Sequence, residues 1–364
     1  AGLRAVGSDL VLRRGDALSA LMALVAETGA QQVHWNRLYD PESRARDEGV
    51  KAALRAAGIT ATSHAGHLIH EPWQAQTGTG GFYKVYTPFW KALRDRDVAP
   101  CLAVPKIPAP ATFPAGDNLA AWNLGRAMDR GATVVAPHCQ IGEAAATARL
   151  ARFLDGPIAS YDAARDRLDQ DGTSGLSENL THGEISARQC WHAGRRAMAE
   201  GKAGAETFLK ELIWRDFAYH LVYHTPHITT GNWRPEWDGF GWNTDPDHPH
   251  VQAWMRGRTG MAVVDAAMRE MYVTGRMHNR ARMLVASYLT KHLLTHWKIG
   301  MDWFAQCLVD WDPASNAMGW QWSAGSGPDA TPYFRVFNPE TQAEKFDPLG
   351  RYRRAWVAEL SRPA

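Results

Sequence analysis

The spacing of apolar residues changes once along the 364-residue chain, near Gly142, and this change constrains the fold more than any other feature. Before it, short apolar runs such as 32–35 alternate with amphipathic segments such as 17–28. Strands and helices that alternate through short connections form a parallel sheet covered by helices. After it, apolar residues recur at three- and four-residue spacing, without a convincing β-hairpin pattern. The sequence therefore predicts a Rossmann-like α/β domain followed by an all-α domain.

The length and one proline-rich stretch predict the domain boundaries. A chain of this size exceeds one ordinary hydrophobic core, so two domains are expected. Prolines at positions 105, 108, 110 and 114 have the composition of a linker. We divide the chain into an α/β domain at 1–106, an interdomain linker at 107–141 and an all-helical domain at 142–364. Because the chain opens in what reads as the end of a helix, the α/β domain is predicted to lack its first strands.

Composition narrows the class of protein. Eleven of the 16 tryptophans lie between Trp191 and Trp322, which indicates stacking platforms or electron transfer. A net charge of +2 does not indicate nucleic-acid binding, so any DNA contact requires a local basic face. Four widely spaced cysteines argue against structural zinc and a disulfide framework, and we expect no metal. With no visible signal peptide and no apolar run near the ~20 residues of a membrane span, we expect a cytoplasmic protein.

Segment 310–322 concentrates carboxylates, a carboxamide and indoles in thirteen positions. A buried carboxylate is unfavourable unless something donates to it, and an indole N–H usually needs a partner. The segment therefore suits a large, flat, hydrogen-bonding guest, although spacing alone equally allows an aromatic-rich turn between helices. Among its polar and aromatic side chains are Asp310, Trp311, Asp312, Asn316, Trp320 and Trp322.

Three upstream segments complement it. They are Gly-Thr-Ser-Gly-Leu-Ser at 172–177, Glu-Leu-Ile-Trp-Arg at 211–215 and Gly-Arg-Met-His-Asn-Arg-Ala-Arg-Met at 275–283. Together the four segments resemble the flavin-binding domain of the DNA photolyase/cryptochrome family, most closely the bacterial class I cyclobutane pyrimidine dimer photolyases. The resemblance runs nearly continuously from about residue 161 to residue 347 and is looser before that.

The segment at 172–177 precedes a helix, where hydroxyls and free backbone N–H groups suit a pyrophosphate, although a plain N-cap is the alternative. The resemblance implies that this segment holds the diphosphate of FAD, with an aromatic side chain beside the cofactor. The residues concerned are Tyr161, Thr173, Ser174, Leu176 and Ser177. Family members usually have arginine where this chain has Gly175, so one contact is expected to be lost or replaced by backbone.

Helical spacing places Glu211, Trp214 and Arg215 on one face. On pattern alone, Glu211 and Arg215 form an ordinary surface ion pair. The resemblance implies instead that Glu211 bonds to the damaged pyrimidine, that Trp214 stacks on it, and that Arg215 lies near the flavin phosphate.

Asn279 and Met283 also share a helix face, on which methionine is more often core filler. The resemblance implies that both border the dimer pocket, with Asn279 also near the cofactor, that Arg282 pairs with Asp310, and that Arg280 contacts a DNA phosphate. With Arg276, these arginines are predicted to form a short basic ridge for phosphate contacts.

In the remaining segment, the resemblance implies that Asp310 and Asp312 accept hydrogen bonds from the flavin ring edge and the ribose or adenine side. Asn316 would face the flavin N5, and Trp322 would form the wall of the dimer pocket opposite Trp214.

A second implied group is an electron-transfer chain that runs from the flavin to the surface. Its members are Trp320, Trp297 and Trp242, for which ordinary packing is the alternative.

The resemblance therefore implies an FAD-dependent lyase that repairs cyclobutane pyrimidine dimers in DNA with blue or near-ultraviolet light. The residues expected in its chemistry are Glu211, Asn316, Trp242, Trp297 and Trp320. A cryptochrome-type photoreceptor is the first alternative. A (6-4) photolyase is the second, disfavoured because such members have a histidine pair in the region of Asn279 and Met283.

A second, light-harvesting chromophore of unknown identity is possible in the α/β domain. Glu42-Ser43 differs from the Asn-Glu pair of folate-binding members, which disfavours folate. The expected partner is dimer-containing DNA, bound by a monomer that is associated with the bacterial nucleoid when it binds DNA.

Overall fold

The computed structural model of the protein describes residues 2–107, 112–128, 130–330, 333 and 335–361. Its N-terminal part contains the helices α1 (Gly2–Ala5), α2 (Ala17–Thr28) and α3 (Pro41–Ala56) and the strands β1 (Gln32–Asn36) and β2 (Thr60–His64). The strands pair in parallel, with Gln32 opposite Thr60 and Asn36 opposite His64. Parallel strands connected by a helix confirm the α/β prediction for this part of the chain.

Sequence signals set the start of α3. Asp40 accepts a hydrogen bond from the backbone N of Ser43 at 2.9 Å, and Pro41 occupies the first helical position, where its missing N–H is tolerated. Val50 and Leu54 lie on the buried face of the helix and pack in a small core with β2. The capping residues and the apolar spacing thus determine which face of α3 covers the sheet.

The chain between the sheet and residue 142 forms α4 (Tyr86–Leu93), α5 (Leu119–Trp122) and α6 (Ala132–Val135). Phe89, Trp90 and Leu93 of α4 are buried in the same core as the helices that follow. The predicted linker contains short helices, and two of its prolines, Pro108 and Pro110, lie outside the described residues. The limits of the linker stay a prediction.

From residue 142 onward, the described chain contains no β-strand, which confirms the all-α prediction. The first helices of this part are α7 (Glu143–Asp155), α8 (Tyr161–Ala164), α9 (Ser177–Thr181), α10 (Ala187–Ala199) and α11 (Ala205–His224). The next are α12 (Pro249–Met255), α13 (Ala262–Thr274), α14 (Asn279–Ser287) and α15 (Trp297–Cys307). The last are α16 (Pro313–Ala324), α17 (Pro339–Phe346) and α18 (Arg351–Trp356).

Helix α11 is buried around most of its circumference, as its apolar residues on several faces require. Leu209, Ile213, Phe217 and Leu221 are fully buried, and the helix packs against α4, α10 and α16. The helix therefore holds the half-buried Glu211 in a fixed position.

A carboxylate on α11 joins this helix to the α/β part. Asp216 accepts hydrogen bonds from the backbone N of Ile69 at 3.3 Å and of His70 at 2.8 Å. Burial raises the pKa of the Asp216 carboxyl to about 7, and the two donors act in the opposite direction. Because a buried carboxylate requires donors, this contact fixes the segment after β2 on α11.

A second core joins α12 to α16 around Trp254, Met271, Leu284 and Phe304. The space between this core and the core of α11 forms the cavity described below. None of the described helices is both long enough and apolar enough to cross a membrane.

Candidate active site

A cavity of about 1060 Å³ lies between the two cores. Ligand pockets usually measure ~300–1,000 Å³, so this one has room for a large ligand. All site residues predicted from the sequence line it, except Trp242 and Trp297. The lining residues among them are Tyr161, Thr173, Ser174, Leu176, Ser177, Glu211, Trp214, Arg215, Asn279, Arg280, Arg282, Met283, Asp310, Asp312, Asn316, Trp320 and Trp322.

Two buried carboxylates line the cavity and are fixed in position. Asp310 is 7% exposed and receives both of its hydrogen bonds from Arg282 Nη2, at 2.9 and 2.8 Å. Asp312 is 6% exposed and caps α16, accepting from the backbone N of Ser315 at 2.7 Å and from the Tyr219 hydroxyl at 2.7 Å. Both carboxylates are held in position by donors that leave further acceptor capacity for a ligand.

Asn316 lies one turn into α16 and is also buried. Its Nδ2 donates to the carbonyl oxygen of Asp312 at 2.9 Å. This bond uses one of the two amide hydrogens and fixes the plane of the side chain. The second hydrogen remains for a group in the cavity, which is compatible with the donor role that the resemblance implied.

The loop that precedes α9 presents backbone donors to the cavity. In the described chain, no protein acceptor is hydrogen-bonded to the backbone N–H groups of Thr173, Ser174, Gly175 or Leu176. Gly175 has a φ of 62°, in the left-handed region that favours glycine. Successive free N–H groups in such a turn form a concave site for an anion.

Arg149 of α7 holds this loop from its other side, and the sequence analysis missed it. The guanidinium is only 6% exposed, and its Nη1 donates to the carbonyl of Gly175 at 2.5 Å, to Glu178 at 2.8 Å and to Asn179 at 2.8 Å. The loop was expected to lack an arginine because position 175 is glycine. A guanidinium reaches it from another helix instead. The available signal was an arginine on the apolar face that Leu150 marks in α7.

Glu211 forms an ion pair with Arg165, which also lines the cavity and was also missed. Burial raises the pKa of the Glu211 carboxyl, and the positive charge of Arg165 opposes that rise. Arg165 follows α8, four residues after Tyr161, so the helical spacing was the only sequence signal.

Aromatic and apolar side chains also line the cavity. Trp214 of α11 and Trp322 of α16 are half-buried and line it, together with Met283 of α14. Asn279 is exposed, and its Nδ2 lies 3.9 Å from the Met283 sulfur. The lining therefore combines two indoles with apolar and polar side chains.

The three arginines of the predicted basic ridge each have a carboxylate partner. Arg276 pairs with Glu178 at 2.5 Å, and Arg280 pairs with Asp166 at 2.7 Å with a side chain only 16% exposed. Arg282 is the partner of the buried carboxylate described above. Because Glu178 also pairs with Arg149, its single negative charge offsets only one of these two guanidinium charges. Contact of the ridge with DNA phosphates stays a prediction.

Arg215 lies at the boundary between the helical and α/β parts. Its Nη1 donates to the backbone carbonyl of His67 at 2.6 Å, and its Nη2 is 2.7 Å from Nε2 of the His67 imidazole. Burial and the adjacent Arg215 charge lower the pKa of His67 to about 4, so the imidazole is neutral. Arg215 lines the cavity, but its described contacts fix the segment after β2.

The three tryptophans of the predicted electron-transfer chain run from the cavity toward the surface. Trp320 lines the cavity, and its ring edge rests on α15 at Gly300, where a Cβ would overlap it. Trp297 begins α15 and is fully buried. The His296 ring lies 5.3 Å from Trp297 and 5.8 Å from the half-buried Trp242. The His296 ring therefore contacts both Trp297 and Trp242, and the redox role of the three tryptophans stays a prediction.

Glu270 and Tyr352 also line the cavity and were missed. The Tyr352 hydroxyl donates to Glu270 at 2.5 Å. Burial raises the pKa of the Glu270 carboxyl to about 7, and Tyr352, Arg282 and Arg276 counteract it. No residue spacing predicted this pair, because its members lie on α13 and α18.

Comparison with known proteins identifies the family. Residues 1–111 match the family model described as DNA photolyase, and residues 208–364 match the one described as the FAD binding domain of DNA photolyase. A curated relative from Agrobacterium fabrum, named deoxyribodipyrimidine photo-lyase, is 45% identical over 365 residues. The aligned region covers 99% of this chain and 75% of the relative.

Similarity to solved structures indicates the same family. A bacterial class III photolyase from Agrobacterium tumefaciens matches with a TM-score of 0.94 and 45% identity, over 99% of this chain and 75% of that chain. A Synechocystis sp. PCC6803 cryptochrome matches with a TM-score of 0.87 and 28% identity, over 99% and 75%. Since the first structure is of class III and the sequence resembled class I, the class stays a prediction. By both family models and the 45% identical relative, this chain belongs to the DNA photolyase family.

Proposed function

We propose that the protein is a deoxyribodipyrimidine photo-lyase, which uses FAD and light to split cyclobutane pyrimidine dimers in DNA. The observation that carries this proposal is that two groups of residues line one cavity. One group has fixed carboxylates and an anion-binding loop, and the other has two indoles and a carboxylate. We assign the first group to a cofactor end of the cavity and the second group to a lesion end. The activity is that of the relative that is 45% identical.

The residues at the first end fit FAD. Free N–H groups before α9 and the nearby guanidinium of Arg149 suit a diphosphate, whose charge they would partly neutralise. Asp310 and Asp312 offer fixed acceptors to N–H and hydroxyl groups, and Asn316 offers an amide donor. When bound and excited by light, reduced FAD would supply the electron that opens the cyclobutane ring and would take it back afterwards.

The second end is suited to a dimer that has left the duplex. Extrusion is easier for a damaged base pair, and each indole contributes stacking of ~1–3 kcal/mol per base. Trp214 and Trp322 would contact the faces of the dimer, while Met283 fills the apolar space beside it. Glu211, paired with Arg165, would accept a hydrogen bond from a pyrimidine N3–H.

Trp320, Trp297 and Trp242 would carry an electron from the surface to the cavity when the cofactor arrives oxidised. The buried rings of Trp320 and Trp297 exclude water from the inner part of this path. The chain uses no nucleophile or general base in this scheme, because the proposed chemistry is electron transfer.

A cryptochrome-type photoreceptor is the competing function, favoured by the structural likeness to the Synechocystis cryptochrome. The two functions differ at the lesion end, since only a repair enzyme must bind the dimer. We also infer that the chain acts on DNA as a monomer, associated with the nucleoid, and that its α/β part is compatible with a second chromophore.

The test is repair of an oligonucleotide that carries one cyclobutane thymine dimer. Photoreduced protein is mixed with it in blue light and in darkness, and intact thymines are measured. We expect repair in light alone, lost in Glu211→Ala and retained in Glu206→Ala, an exposed position on the same helix. Bound, photoreducible FAD without repair would favour the photoreceptor.

A further inference from the structure

A tyrosine of the α/β part lies against one wall of the lesion end. Tyr86, the first residue of α4, stacks on Trp214 with ring centroids 3.6 Å apart and an angle of 8° between the planes. Tyr86 is 7% exposed, while Trp214 remains half-buried. The opposite wall has no comparable support among the described aromatic rings, since Trp322 is 6.5 Å from Phe337.

The same tyrosine makes two further contacts around this end. Its hydroxyl donates to the carbonyl of Lys210 at 2.7 Å, in the peptide that leads into Glu211. Its backbone N donates to Asp329 at 3.0 Å, in the segment that follows the helix of Trp322. One residue thus contacts the Trp214 ring, the backbone beside Glu211 and the segment after the second wall.

This arrangement reduces the freedom that a dimer would otherwise have to remove. An indole at a cavity edge can change its side-chain torsions, and ordering it on binding weakens affinity. A parallel ring on one face selects one orientation and leaves the other face available for stacking. Tyr86 itself is fixed at both ends, because its hydroxyl and its backbone N are both bonded.

We propose that Tyr86 is a positioning residue for dimer recognition, which holds Trp214 in the orientation that accepts the flipped dimer. The inference rests on the proposed repair function and extends it to a residue of the α/β part. In this arrangement Tyr86 contacts neither the dimer nor FAD.

The test compares substitutions on α4. Tyr86→Leu removes the stack, Tyr86→Phe keeps it without the hydroxyl, and Tyr86→Met provides a second ring deletion should the leucine variant fail to fold. Phe89→Leu is the matched control, because Phe89 is 2% exposed on the same helix and packs on Phe217 and His220 away from the cavity. Dark binding of dimer-containing and undamaged oligonucleotides is measured by fluorescence anisotropy, with FAD content determined by absorbance.

We expect Tyr86→Leu to weaken dimer binding roughly two- to tenfold, the range of one aromatic pair, with FAD content and repair per bound dimer unchanged. Tyr86→Phe and Phe89→Leu should bind the dimer as the wild type does. In a Trp214→Ala background, Tyr86→Leu should cause no further loss.

Equal dimer affinity in wild type and Tyr86→Leu would overturn the inference, as would an additive loss in the double variant or the same loss in Phe89→Leu. Failure of the proposed function is distinguishable, since the wild type would then show no preference for dimer-containing DNA at all.

Discussion

The two ends of the cavity differ in how their groups are held. At the cofactor end, Arg149, Asp310 and Asp312 are buried, and each is bonded to other parts of the protein. At the lesion end, Trp214 and Trp322 are half-buried, and they are oriented by packing rather than by ion pairs. A resident cofactor can be enclosed by fixed charges. A substrate that must enter and leave requires open faces.

Asp310→Ala should have the largest effect, because it leaves Arg282 without its carboxylate in a largely buried site. Breaking a buried ion pair usually lowers the free energy of unfolding by about 3–5 kcal/mol. We expect that loss in urea unfolding, together with loss of FAD on purification. Asp302→Ala, an exposed position on α15, is the control and should change neither quantity. An Asp310 variant with normal stability and normal FAD content would show that the carboxylates do not define the cofactor end.

Arg149→Met should weaken FAD binding roughly 10- to 150-fold, since a hydrogen bond from a charged group contributes ~1.5–3 kcal/mol. The substitution keeps an unbranched, apolar stem but removes the guanidinium, which leaves the Gly175 carbonyl and Glu178 without this donor. FAD retention is measured by absorbance after dialysis, with the exposed Arg195→Met as the control. Normal retention in Arg149→Met would assign the guanidinium to packing alone.

Glu270→Gln should have a smaller effect that depends on pH. Burial places the folded pKa of Glu270 at about 7, above its ordinary 4.5. The folded state therefore holds the proton more tightly, and this contribution to stability, complete below pH 4.5, is lost as pH rises to 7. We expect the fall in unfolding free energy between pH 5 and pH 8 to be smaller in the variant, by on the order of 1–3 kcal/mol. The exposed Glu344→Gln is the control and should show the same dependence of unfolding free energy on pH as the wild type. The same dependence in Glu270→Gln would show that the Glu270 carboxyl of the wild type has an ordinary pKa.

The sequence predicted which residues meet in the cavity, because each motif brings several of them on a single turn or helix face. Segment 310–322 placed Asp310, Asp312 and Asn316 together through the cap and first turn of α16. The change of apolar spacing near Gly142 likewise predicted both parts of the fold, because burial follows the helical or strand period.

The sequence did not predict contacts between distant elements. Arg149 and Arg165 reach the cavity from α7 and from the turn after α8, and Tyr86 of the α/β part stacks on Trp214 in the cavity wall. The ion pairs of the basic ridge were missed for the same reason. The sequence identified Arg276 and Arg280, but the carboxylates that pair with them lie about a hundred residues earlier in the chain.

The central claim is that one cavity has two ends with separate tasks, and two variants test it together. FAD content and affinity for a thymine-dimer oligonucleotide are measured for Trp214→Ala and Arg149→Met. The account predicts that Trp214→Ala retains FAD and binds the dimer roughly five- to 150-fold more weakly. It predicts that Arg149→Met loses FAD, and that it keeps its dimer affinity once saturated with added FAD. Loss of FAD in Trp214→Ala, or unchanged dimer binding in that variant, would contradict the division of the cavity.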